Sequence, residues 1–154
     1  MRVISRVAIV LLLLLGAGWV GLRVVAGHAQ PPVPLGLHAG KLAPCPDSPN
    51  CVSSYEISPE HGIAPLTFDG DPDAALARLD ALLAAMPGAH LEQANGYYRH
   101  YIFRTRFVGY IDDVEFYLDG DVIQIRSASR SGYSDLGLNR RRVEDIRAAF
   151  LSAP

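Results

Sequence analysis

Asp112-Asp113-Val114-Glu115-Phe116-Tyr117-Leu118-Asp119-Gly120-Asp121-Val122-Ile123-Gln124-Ile125-Arg126 is the stretch that decides the fold. Apolar and polar residues alternate on both sides of Asp119-Gly120. That is the period of half-buried strands, and Asp-Gly is a compact hairpin signal. As a two-residue turn it sets Phe116 opposite Ile123 and Val114 opposite Ile125 on an apolar face. Glu115 then faces Gln124, and Asp113 faces Arg126, on a charged face. A turn at Gly109-Tyr110 extends the same assignment backwards. Phe103 meets Phe116 and Thr105 meets Val114 on the apolar side, while Arg104 meets Glu115 and Arg106 meets Asp113 on the charged side. With Asn95-Gly96 as a further turn, strands are predicted over 89–94, 97–107, 111–118 and 121–127. The first strand is uneven, because this register brings Leu91 beside His100 on the charged face, and a longer loop or a bulge is needed to repair it.

Helices flank the strands. Asp71-Pro72 supplies an N-cap and a proline at the first helical position, and Ala75, Leu76, Leu79, Leu82, Leu83 and Met86 recur at helical spacing until Pro87-Gly88. A second helix starts with Asn139 as its N-cap and carries Val143, Ile146 and Phe150 as a narrow apolar stripe. Two striped helices and one apolar sheet face imply an α+β fold. The expected form is a four-stranded antiparallel meander sheet with two helices packed on one face and a polar face left to water. The chain has 154 residues, 49% hydrophobic and 19% charged, which suits one such domain and excludes a disordered or collagen-like chain. Setting aside Arg2, Arg6 and Arg23 near the N-terminus leaves 11 basic against 16 acidic residues, a formal charge of −5. No basic field for nucleic acid is present.

Arg2 and Arg6 precede an unbroken apolar or small stretch from Val7 to Leu22. At 1.5 Å per residue this run covers about 24 Å, and continuing to Gly27 gives about 31 Å, enough for a hydrocarbon core of roughly 30 Å if Arg23 snorkels to the headgroups. Residues 1–27 are therefore expected to be a transmembrane anchor or a signal segment, with Gly27-His28-Ala29 as a weak cleavage site for the second reading. Two arginines before the segment and one after it place the remainder on the extracytoplasmic side of a membrane. Residues 28–40 carry three prolines, at 31, 32 and 34, with no apolar periodicity, and read as an extended linker before a single domain at 41–154. Cys45 and Cys51 close a short, proline-rich loop; an oxidising address favours a structural disulfide, which would contribute roughly 2 to 2.5 kcal/mol in the chain-entropy model. A redox pair is the alternative, although such pairs usually have two intervening residues. Two thiols without a histidine motif make a poor zinc site, and neither a metal nor a cofactor is expected.

Several landmarks occur in order: Pro44-Cys45-Pro46, Ser48-Pro49-Asn50-Cys51-Val52-Ser53-Ser54, Asp112-Asp113-Val114-Glu115-Phe116, and Arg126-Ser127-Ala128-Ser129-Arg130. They continue into Gly132-Tyr133-Ser134-Asp135-Leu136-Gly137 and Asn139-Arg140-Arg141-Arg142. Over residues 42–151 the chain resembles the domain of unknown function family 1499, found in bacterial envelopes and in plant chloroplast proteins. The resemblance implies a family and no activity, cofactor or catalytic residue.

The charged sheet face is the candidate ligand-binding region: Arg104, Asp113, Glu115 and Arg126, joined by Arg130, Asp135, Asn139 and Arg140 from the loop and helix start that follow. Alternating charge of this kind makes a solvated salt-bridge ladder, each exposed pair contributing about 0 to 1 kcal/mol. A sharper reading has the arginine forks grip a carboxylate, phosphate or sugar acid, so that alanine at Arg126 or Arg130 abolishes binding and leaves the fold intact. Catalysis by Asp113 and Glu115 as acid and base is disfavoured, because neighbouring arginines keep both ionised. The serines lack a Gly-x-Ser-x-Gly elbow, and His61, His90 and His100 lack ligand spacing. The expected function is an envelope binding or assembly module for a partner protein or an anionic ligand; the alternative is a hydrolase or transferase acting on envelope polymers.

Overall fold

The computed structural model describes residues 2–152, with side chains from residue 6 onward. Met1, within the anchor expected over 1–27, and Ala153 and Pro154, within the domain expected over 41–154, lie outside the described residues, as does the side chain of Arg2. The first element, α1, spans Arg2–Gly27. Its segment Arg6–Gly27 is long and apolar enough to cross a membrane, compatible with an anchor or a signal, and its leucines Leu11 to Leu15 are all exposed.

A short ribbon follows, β1 (Leu37–His38) paired with β2 (Lys41–Leu42), and then β3 (Cys51–Ser53) and β4 (Leu66–Thr67). After α2 (Pro72–Ala85) come β5 (Ala89–Asn95), β6 (Tyr98–Arg104), β7 (Ile111–Asp119) and β8 (Val122–Ser129), and α3 (Leu138–Ser152) closes the domain. The main sheet is antiparallel in the order β3-β8-β7-β6-β5, and β4 also pairs with β8. It therefore has six strands, where four were expected. The two additions are three and two residues long, too short to show an alternation among the prolines and glycines of residues 44–70.

The hairpin registers also differ from expectation, by even numbers of residues. Asp119 pairs with Val122, so the turn is Gly120-Asp121; Phe116 lies opposite Ile125 and Glu115 opposite Arg126. Gly120 has φ 65° and is the only positive-φ residue of that turn, the pattern of a type II′ turn with glycine at its first central position. Gly96 plays the same part between Asn95 and Tyr98. Between β6 and β7 the connection runs from Thr105 to Tyr110, closed by the Thr105 hydroxyl accepting from the Tyr110 amide at 2.9 Å. Arg104 consequently lies opposite Ile111 and Arg106 sits in the loop, so neither meets a carboxylate across the sheet. Even shifts leave the side chains of β6, β7 and β8 on their expected faces. A bulge between Leu91 and Gln93 sets Leu91 opposite Tyr101 and resolves the uneven first strand.

Both helices cover one face, and the core lies between them and the sheet. Leu76, Leu79 and Leu83 of α2 and Val143, Ile146 and Phe150 of α3 pack with Val114, Phe116, Ile123 and Ile125. Each fully buried side chain of this kind contributes about 1.5–3 kcal/mol. Asp71 caps α2 by accepting the Ala74 amide at 3.0 Å, with Pro72 in the first turn, as the sequence predicts. At α3 the cap differs. Asp135 accepts the amides of Gly137 and Asn139 at 2.9 and 2.6 Å, and Asn139, expected to be the cap itself, lies in the first turn with its side chain buried.

The middle of the second sheet face is covered. Leu42 and Ala43 are buried against it, and the segment before β2 runs over it, giving the Gly36 amide to Glu115 and the Ala29 carbonyl to Arg130. The proline-rich stretch expected as an extended linker thus lies on the domain as a strap. Cys45 and Cys51 are disulfide-bonded, which fixes the loop carrying Asn50 beside β8.

Candidate functional site

On the strap-covered face, Glu115 and Asp113 of β7 point the same way because they are two residues apart. The register brings Arg126 of β8 and His100 of β6 to either side of Glu115. Glu115 is fully buried and accepts from Arg126 Nη1 at 2.9 Å, from the Tyr98 hydroxyl at 2.8 Å and from the Gly36 amide at 2.7 Å. Asp113 accepts from both arms of the Arg130 fork at 2.9 and 2.7 Å and from His100 Nε2 at 2.8 Å. Burial pushes the Asp113 carboxyl up, but the hydrogen bonds from His100 and Arg130 and the Arg130 charge outweigh it and hold the group below the ordinary aspartate value. The bonds to Asp113 in turn raise the Arg130 guanidinium. Burial, followed by the charge of Glu115 and the hydrogen bond to it, pushes the Tyr98 phenol far above its ordinary value, so Tyr98 remains a donor. Arg126 is 1% exposed and gives only one nitrogen to Glu115; its Nε and Nη2 have no acceptor among the described residues.

A second polar cluster lies on the helix side at the end of β7 and β8. Asp112 pairs with Arg142 of α3, whose guanidinium also sits 4.8 Å from the centre of the Phe103 ring. Asn139 ties the cluster together: its Oδ1 accepts from Ser127 and Arg142, each at 2.6 Å. Its Nδ2 donates to the Asn50 carbonyl at 2.8 Å and to the Ser129 hydroxyl at 3.0 Å. The charges here are also consumed internally.

Of the eight ligand-binding candidates, the structure brings Asp113, Glu115, Arg126 and Arg130 together under the strap. Asp135 and Asn139 are at the start of α3, where they cap and crosslink. Arg140 reaches away to the carbonyls of Pro59, Glu60 and Gly62, and Arg104 is exposed at the far end of β6. Sequence reasoning missed Tyr98, His100, Asp112 and Arg142. The α3 residues were accessible, since 139, 142, 143, 146 and 150 form one stripe at helical spacing. Tyr98 and His100 required the longer 105–110 connection, which no turn signal announces.

The opening at this end of the molecule is a cavity of about 530 Å³, within the size range of ligand pockets, between the last turn of α1 and the loop after β8. Leu22, Val25 and Ala26 form one wall and Ser131, Ser134 and Leu136 the other. Arg23 locks the helix to the domain by donating to the Phe107 carbonyl at 3.1 Å. Among the described residues no group of three or more metal-ligating side chains converges.

The model of the family described as "Protein of unknown function (DUF1499)" matches residues 41–150. The chain belongs to the DUF1499 family. No curated protein matches it. All the side chains of both polar clusters lie within the DUF1499 stretch, whereas Ala29 and Gly36 of the strap precede it.

Proposed function

We propose that this DUF1499 protein is a non-catalytic binding module held at a membrane by α1, with its domain on the extracytoplasmic side and its ligand received at the cavity beside α1. The carrying observation is the state of the two carboxylates. Glu115 and Asp113 lie beneath the strap with their oxygens engaged by donors from Arg126, Tyr98, Gly36, Arg130 and His100, which leaves neither carboxylate free to act as a base. The apolar helix, the disulfide and the arginines flanking the span support the address. The charged face serves as scaffold, and the open cavity beside α1 receives the ligand.

The test uses membranes that retain the full chain after an alkaline carbonate wash, its mass showing an uncleaved N-terminus. Such membranes are expected to show no chain-dependent turnover on a panel of ester, phosphoester, glycoside and peptide substrates. Turnover that disappears in Glu115→Gln or Asp113→Asn would establish the hydrolase or transferase reading instead.

A further inference from the structure

The cavity and the two loops beside it share a feature that the binding-module reading alone does not require. Large apolar side chains stand in water on both loops. Phe107 is 77% exposed in the 105–110 connection, and Tyr133 and Leu136 are 77% and 84% exposed in the loop after β8. These loops lie next to the end of the span. Arg23 donates to the Phe107 carbonyl and stacks 5.0 Å from the Trp19 ring, so an arginine that snorkels to the headgroups holds the Phe107 turn at the same depth. Arg104, at the end of β6, and Arg106, on the same connection, pair with no carboxylate among the described residues.

The lining of the cavity points the same way. One wall is α1 itself at the end of the apolar run, and the carboxylates that reach the cavity are occupied: Asp112 by Arg142, and Asp135 by the amides of Gly137 and Asn139. The remaining walls include Tyr110, Leu136 and Leu138. An apolar chamber whose wall continues into a bilayer-spanning helix suits a hydrocarbon chain better than an anion.

From this geometry we propose that the 105–110 and 131–136 loops dock on the leaflet at the C-terminal end of α1, and that the cavity takes an acyl chain of a bilayer lipid. Phe107 and Leu136 enter the interface, while Arg104 and Arg106 face lipid phosphates and favour anionic lipid. The inference rests on the anchored reading above, since a cleaved α1 would remove one wall.

The test is photolabelling of the full chain in vesicles of phosphatidylcholine, alone or mixed with phosphatidylglycerol, each carrying a lipid with a diazirine on its acyl chain. Labelled residues are then mapped by mass spectrometry. Label is expected at Tyr110 and within 131–138 as well as along α1, and to rise with phosphatidylglycerol. The double variant Phe107→Ser/Leu136→Ser should lower the loop label by at least about tenfold, because two apolar side chains are withdrawn from lipid. Leu91→Ser, which removes an exposed leucine on β5, should leave it unchanged. Label confined to α1 in an intact, membrane-held chain would overturn the lipid site alone. A chain that begins near Gln30 would overturn the anchored reading together with it.

Discussion

Arg126→Ala is expected to destabilise the domain by about 3–5 kcal/mol, the usual result of removing one partner from a buried ion pair. Thermal or urea unfolding of the full chain in detergent reads the loss. Glu115 would be left buried under the strap with only Tyr98 and the Gly36 amide as donors. The sequence suggested an exposed arginine replaceable without loss of fold; a side chain 1% exposed makes the opposite outcome the expected one. The pair is itself costly, because two guanidinium nitrogens lack acceptors among the described residues. Replacing both partners by apolar residues, as in Glu115→Leu/Arg126→Met, should therefore recover much of what the single variant loses.

Asp113→Ala is expected to cost about 2–3 kcal/mol, less than at Arg126 because the Arg130 fork it releases is near the surface and can rehydrate. Acid should reproduce the effect without mutation. The Asp113 carboxyl titrates lower in the folded chain than in the unfolded one. Its contribution is thus fully present above the unfolded value, near pH 4, and is lost as pH falls through the lower folded value. Comparing wild type with Asp113→Ala from pH 7 to pH 2 should show the stability difference shrinking only below about pH 4. A difference independent of pH across that range would mean that the ionised carboxylate is not what holds His100 and Arg130.

The faces of the sheet were legible because a period of two survives any even error in register, and the errors at Gly120-Asp121 and at the 105–110 connection were both even. Exact partners were not. Placing the glycine second in the turn, rather than first, moved Glu115 from Arg126 to Gln124, and the shorter connection moved Arg104 into the place of His100. The helix stripes were legible for the same reason, down to Val143, Ile146 and Phe150.

What covers the charged face was not legible. The strap bonds through main-chain groups, the Gly36 amide and the Ala29 carbonyl, which carry no side-chain signature, and its prolines read equally as a free spacer. The strands at Cys51–Ser53 and Leu66–Thr67 are too brief for periodicity. A buried network and an exposed ladder are written in the same residues; only the third dimension separates them.

Carboxyl footprinting tests the sealed face most directly. The full chain, in detergent at neutral pH, is treated with a water-soluble carbodiimide and an amine, and modification is mapped by residue. Glu115 and Asp113 are expected to stay unmodified while exposed Asp47 and Asp121 react, and to become reactive only on unfolding. Modification of Glu115 at the rate of those surface aspartates in the folded chain would contradict the account.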